Sequence, residues 1–243
     1  MRLWNFRFGA AFFACAMPVA ELMKAGDLVV ENLACRRGER LIFAGLGCVL
    51  PPGGALVLTG ANGSGKSSLL RLLATLLAPA AGRLLWGSEP VAAEIAQYRA
   101  RLHYLGHLDA IKPAFTVRET LRFWAGLRGV DTPALDAALA AFALDALADW
   151  PCRWLSAGQR RRLGLARLIV APAPLWLLDE PTAALDADGE ARLIAAIAAH
   201  RNAGGRVVAA THQPLGLAGA ATLALEDFAP AVSDLAGDPL AGF

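Results

Sequence analysis

Three short stretches of this sequence carry residue types suited to triphosphate chemistry. Gly60-Ala61-Asn62-Gly63-Ser64-Gly65-Lys66-Ser67, followed by Ser68, fits the spacing G-x-x-x-x-G-K-[ST]. Gly60, Gly63 and Gly65 let a backbone wrap closely around phosphates where a β-carbon would clash. The loop amides and the positive end of the following helix bind the anion, with Asn62, Ser64 and Ser68 in the predicted contact set. Lys66 is placed to reach the β- and γ-phosphates and Ser67 to ligate Mg²⁺. Downstream, Leu175-Trp176-Leu177-Leu178-Asp179-Glu180 is an apolar run ending in two carboxylates. Asp179 is placed to hold Mg²⁺, directly or through water, and Glu180 to orient and polarise an attacking water. Between the two lies Leu155-Ser156-Ala157-Gly158-Gln159, with Ser156 standing 23 residues before Asp179 at the start of a helix whose first amides lack partners.

The elements needed to position these groups are legible from pattern. Residues 27–58 alternate apolar and polar types between Arg37-Gly38 and Pro51-Pro52-Gly53-Gly54, which predicts a small antiparallel sheet with turns. Ala55–Thr59 reads as a buried strand entering the phosphate loop, and a helix runs from Lys66 to about Leu77. Thr116-Val117-Arg118-Glu119 is a capping box opening a helix to about Leu127. Thr132-Pro133 opens an alanine-rich helix to about Ala148, and Ser156 caps a third through Leu168. A strand at Leu175–Leu178, a helix from Gly189 to Arg201, a strand at Arg206–Ala210 and a weak strand near Ala221–Leu225 follow. Strands alternating with helices imply a parallel sheet covered on both faces, with the helical lobe inserted into it.

Together these stretches resemble the nucleotide-binding subunits of ATP-binding-cassette transporters. The resemblance implies an α/β P-loop NTPase (RecA-like) core with a mostly parallel sheet, an N-terminal antiparallel β subdomain and an inserted helical subdomain. It implies a cassette over residues 24–228, with the helical part at about 108–168, a leader at 1–23 and a tail at 229–243. It further implies a homodimer holding two ATP head to tail, in which Ser156 and Gly158 contact the partner's γ-phosphate and Ala184-Leu185-Asp186 crosses the interface. His212 matches the family's histidine that hydrogen-bonds the γ-phosphate, so Glu180, His212 and Lys66 form the expected catalytic set. Two positions depart from the family pattern. His107 stands where most members carry glutamine, and Arg37 where most stack an aromatic ring on adenine. A guanidinium can stack there instead. Tyr104-Leu105-Gly106-His107, Ile111-Lys112, the Leu155–Arg162 run, Leu185–Gly189 and Thr211-His212-Gln213-Pro214-Leu215 narrow the resemblance to the haem exporter ATPases of cytochrome c maturation. That implies ATP and Mg²⁺ as cofactors, polytopic membrane subunits as partners, and a peripheral place on the cytoplasmic face of the inner membrane. Another cargo (drug, polysaccharide or metal) stays open, as does a soluble cassette acting on nucleic acid or ribosomes. One cassette and no sustained heptads disfavour the last, and no nucleic-acid partner is expected.

Composition sets the outer bounds. The chain has 243 residues, enough for one domain with an inserted lobe, and its net charge of +2 gives no argument for nucleic acid. Hydrophobic content is 56 % and mean hydropathy +0.44, read as alanine enrichment first and a docking surface second. Phe8–Ala20 is too short to cross about 30 Å of hydrocarbon. It is expected to be a disordered or misassigned leader, with Met17 or Met23 as candidate starts. The four cysteines form no C-x-x-C pair, which supports neither a zinc nor a redox site. Arg160-Arg161-Arg162 is expected on a solvated helix face, and His200, near a helix C-terminus, is expected to suit the dipole.

Overall fold

The computed structural model describes residues 26–129, 134–213 and 215–230. The expected leader, the Thr132-Pro133 helix start, Pro214 and the tail from 231 lie outside the described residues. Strands β1 (Leu28–Arg37) and β2 (Arg40–Leu50) form a hairpin turning at Gly38, whose φ of +59° suits glycine. Strand β3 (Ala55–Thr59) runs into the phosphate loop and helix α1 (Lys66–Leu73). Strands β4 (Ala81–Trp86) and β5 (Glu89–Pro90) then return to the hairpin. Helix α2 (Ile95–Ala100) precedes strand β6 (Leu102–Leu105). Helices α3 (Val117–Leu127), α4 (Leu135–Ala141) and α5 (Ala157–Val170) follow before the chain re-enters the sheet at β7 (Leu175–Asp179). Helix α6 (Ala187–Asn202), β8 (Arg206–Ala210) and β9 (Ala221–Ala224) complete the described order.

Two sheets result. One is antiparallel, ordered β2-β1-β4-β5; the other, ordered β6-β7-β8-β3-β9, is parallel at every pairing. Strands β7 and β8 are buried along their whole length, as strands covered on both faces must be. Their side chains alternate between two cores. Leu175, Leu177, Val208 and Ala210 pack with α1 and the antiparallel sheet. Trp176, Leu178, Val207 and Ala209 pack with α5, α6 and the other helices. The expected α/β fold, with its parallel core, antiparallel sheet and helical insertion, is present.

Several boundaries differ from expectation for physical reasons. Helix α1 stops at Leu73 rather than Leu77, because Thr75 takes a φ of +56° that ends the helical path. Helix α4 ends at Ala141 rather than Ala148, where Ala143 turns through a φ of +50°. Strands β4, β5 and β6 were not anticipated. The three-arginine run does not lie on one solvated face: Arg160 is exposed, Arg162 half-buried and Arg161 only 3 % exposed.

Candidate functional site

The loop after β3 is shaped by its glycines and by one distant carboxylate. Gly65 has a φ of +108°, and a β-carbon there would stand 2.7 Å from Ile42 Cγ2. Lys66 is buried at the first position of α1, and its Nζ donates to Gly60 O (2.6 Å) and Ala61 O (3.1 Å). The lysine charge is thereby anchored at the mouth of its own loop. Glu226, just beyond β9, accepts from the Ala61 amide at 2.7 Å and holds the outer side of the loop. That amide bond, a second backbone bond and nearby Lys66 hold its carboxyl below the usual range. Sequence reasoning missed Glu226, since nothing local marks a residue 165 positions away as a loop partner.

The strand carrying the carboxylates brings Asp179 beside the loop. Ser67 Oγ donates to Asp179 Oδ1 at 3.0 Å, so the two candidate Mg²⁺ ligands already share one spot. Glu180 adopts a φ of +48°, uncommon for a residue with a side chain. Its Oε1 lies 3.2 Å from His212 Nε2, which follows β8. These groups line one cleft of about 520 Å³, with Arg37, Asn62, Gly63, Gly65, Ser68 and His107 among its walls. Arg37 Nη1 donates to Ser68 Oγ at 3.4 Å. Arg40 and Ile42 share that wall and were not anticipated; both lie on β2, where a strand pattern gives no chemical signal.

Gly60 and Ser64 do not line this cleft. Gly60 backs the loop toward Ser64 and Glu226, and Ser64 Oγ is buried without a hydrogen-bond partner. Ser156 and Gly158 do not line it either, although their helix start forms as expected. Ser156 accepts from Gln159 N (3.2 Å) while Gln159 Oε1 accepts from Ser156 N (2.8 Å), a reciprocal capping box. Gly158 packs on the Ala184 carbonyl, where a β-carbon would approach to 2.9 Å. Asp186 accepts from Gly189 N at 2.9 Å and so caps α6.

The remaining histidines are structural. His200 stacks on Trp176 with ring centroids 3.9 Å apart. Burial pushes its pKa down to about 4, so it is neutral and the expected dipole role does not apply. His103 is held far below its ordinary value by burial and by the Arg128 charge. Among the described residues, Cys35, Cys48 and Cys152 are unpaired, and no helix is long and apolar enough to cross a membrane.

A glycine phosphate loop running from an interior strand of a parallel sheet into a helix, beside a strand that ends in adjacent acids, defines a P-loop nucleotide-binding cassette. The pattern described as ABC transporter matches residues 43–183. The chain is 58 % identical over 224 residues to "Cytochrome c biogenesis ATP-binding export protein CcmA" of Rhodospirillum rubrum, covering 92 % of this chain and 94 % of that one. It is 55 % identical to the protein of the same name from Paramagnetospirillum magneticum, covering 86 % and 98 %. An ABC transporter ATP-binding protein of Pyrococcus furiosus shares the fold, with a TM-score of 0.75 at 21 % identity over 84 % of this chain and 100 % of that one. The chain belongs to the ABC transporter family and, within it, to the CcmA cytochrome c biogenesis ATP-binding proteins.

Proposed function

We propose that this chain is the ATP-hydrolysing subunit of the export system of cytochrome c biogenesis, acting in haem handling. The observation that carries the chemistry is the meeting of Lys66, the Ser67–Asp179 pair and the Glu180–His212 pair in one cleft. The CcmA names of its relatives carry the biological setting. Lys66 and the loop amides take the β- and γ-phosphates. Glu180 orients the attacking water, and His212 contacts the γ-phosphate edge. Arg37 supplies a flat cationic surface for the base.

Ser67 and Asp179 fit a magnesium ion. The ion is hard and oxygen-seeking, and at nucleotides it takes one or two protein oxygens plus phosphates and waters. The Ser67 Oγ and Asp179 Oδ1 atoms stand 3.0 Å apart, so the two oxygens can supply the protein's share of such a shell. Ser67 and Asp179 would hold the ion, and the chemistry it would supply there is neutralisation of charge developing on the transferred phosphoryl group.

Two copies clamp two ATP head to tail. The capped start of α5, with Ser156 exposed and away from its own cleft, supports a contact made to the other copy's nucleotide. The membrane-facing side is the helical segment. Leu108 (81 % exposed), Phe123, Leu127, Trp150 and Trp154 are exposed there. The Arg153 and Cys152 amides tie the tryptophan-bearing strip to Pro113 and Phe115. Such a surface suits a polytopic membrane partner at the cytoplasmic face of the inner membrane. The test is to replace the chain in cells by Lys66→Ala and assay covalent haem in c-type cytochromes. Loss of haem attachment supports the reading, and normal attachment overturns it.

A further inference from the structure

Arg161 lies about one turn beyond Ser156 and Gly158 on α5. Its five N–H groups match five acceptors. Nη2 donates to Asp179 O (2.9 Å) and Glu180 O (2.6 Å), and Nε to Pro181 O (3.2 Å). Nη1 donates to Gly106 O (3.2 Å) and Asp109 Oδ1 (2.9 Å). The first three acceptors are the backbone around the hydrolytic carboxylate. The last two flank His107 in the segment joining β6 to α3.

Two further observations show that the arrangement is built. A residue with a side chain keeps a positive φ only where its surroundings fix it. Glu180 is fixed by Arg161 on its carbonyl and by Ala210 O on its amide at 2.9 Å. Gly164, one turn further along α5, leaves room for Asp109; a β-carbon there would stand 3.0 Å from Asp109 Oδ1. The Arg161 side chain is 4 % exposed and that of Asp109 22 %, so the pair lies where removing one partner is costly.

We propose that Arg161 is the positioning residue that fixes Glu180 for hydrolysis and, through Asp109, makes that fixation depend on the placement of α5 and the His107 segment. The inference rests on the reading of Glu180 given above. Helix α5 also presents Ser156 and Gly158 to the second copy, so one rigid element senses the partner's nucleotide and holds the carbonyls behind the water-orienting acid. A shift of that helix withdraws the fork, and Glu180 leaves its aligned conformation.

The test uses the full chain assembled with its membrane subunits, with ATP turnover and binding of a fluorescent ATP analogue measured together. Arg161→Gln is expected to lower kcat by about tenfold or more, the scale of a misplaced catalytic group, with KM and analogue affinity held within about threefold. Arg161→Lys recovers part of the rate. Asp109→Asn keeps the carbonyl bonds and lowers kcat by about threefold or more at unchanged KM. A purely structural arginine would instead lower the melting temperature, kcat and nucleotide affinity together, and that result overturns the proposal. So does wild-type kcat in Arg161→Gln. If that variant does not fold, Asp109→Asn decides, and wild-type kcat there overturns it. Glu180→Gln assayed in parallel separates the two levels. Full turnover in Glu180→Gln sinks the reading of the site; an inactive Glu180→Gln beside a fully active Arg161→Gln sinks this inference alone.

Discussion

The proposed site gives Glu180 and Lys66 separate jobs, and their substitutions are expected to separate on different measurements. Lys66→Ala removes the charge anchored on Gly60 O and Ala61 O. ATP binding, measured by equilibrium binding of labelled nucleotide, is expected to fall below detection at millimolar ATP. Glu180→Gln keeps the shape and the loop. Nucleotide is retained while turnover drops by roughly a hundredfold or more, as when a group that acts in the transition state is removed. Steady-state phosphate release checks this; wild-type turnover would refute the role. Gly65→Ala forces a methyl group against Ile42 and demands a φ that alanine disfavours. It is expected to weaken nucleotide binding without moving either carboxylate. Most of this residue-scale chemistry was legible in the sequence, because phosphate recognition needs fixed spacing within one loop. Arg161 was not, because three adjacent arginines read as a charge run. Consecutive helical positions point about 100° apart, so the three spread over about 200° and need not share one face, but the run itself does not say which of them turns inward.

At the scale of elements, long periodic pieces declared themselves and short ones did not. The capping boxes at Thr116 and Ser156 form as their spacing predicts. Strand β6 has four residues and β5 two, too few for a period to show. Strand β4 contains Gly82 and Arg83, which break a strand pattern, and takes its place by pairing with β1 and β5. The turn between α6 and β8 gives a sharp test. A β-carbon on Gly205 would collide with the His200 ring that stacks on Trp176. Gly205→Ala is expected to destabilise the protein by about 1–3 kcal/mol, the usual cost of overpacking, read as a lowered midpoint in urea. Ser156→Ala removes a cap and is expected to cost about 1 kcal/mol by the same measurement.

For the whole molecule, the buried histidines set a pH limit on stability. His200 titrates near 4 when folded, against an ordinary value of 6.5. As pH falls through that window the unfolded chain takes up the proton first, so stability drops; above about 6.5 the effect vanishes. The full shift corresponds to about 3 kcal/mol, and His103 acts in the same direction. Melting temperature is expected to be flat above neutrality and to fall between pH 6.5 and 4, with a shallower fall in His200→Phe. On the outer surface, Trp154→Ser is expected to reduce co-purification with the membrane subunits while leaving the melting temperature within experimental error.

Among the described residues, strand β3, which ends at the phosphate loop, pairs only with β8 and β9. Both neighbours come from the last fifth of the sequence. During synthesis the entire G-x-x-x-x-G-K-S segment therefore leaves the ribosome long before either strand that β3 pairs with exists. A message truncated ahead of Arg206 yields a polypeptide that contains every glycine of the cradle and lacks both strands that β3 pairs with. Such fragments are expected not to engage labelled ATP, and retention of nucleotide by one would show that the cradle forms without its two flanking strands.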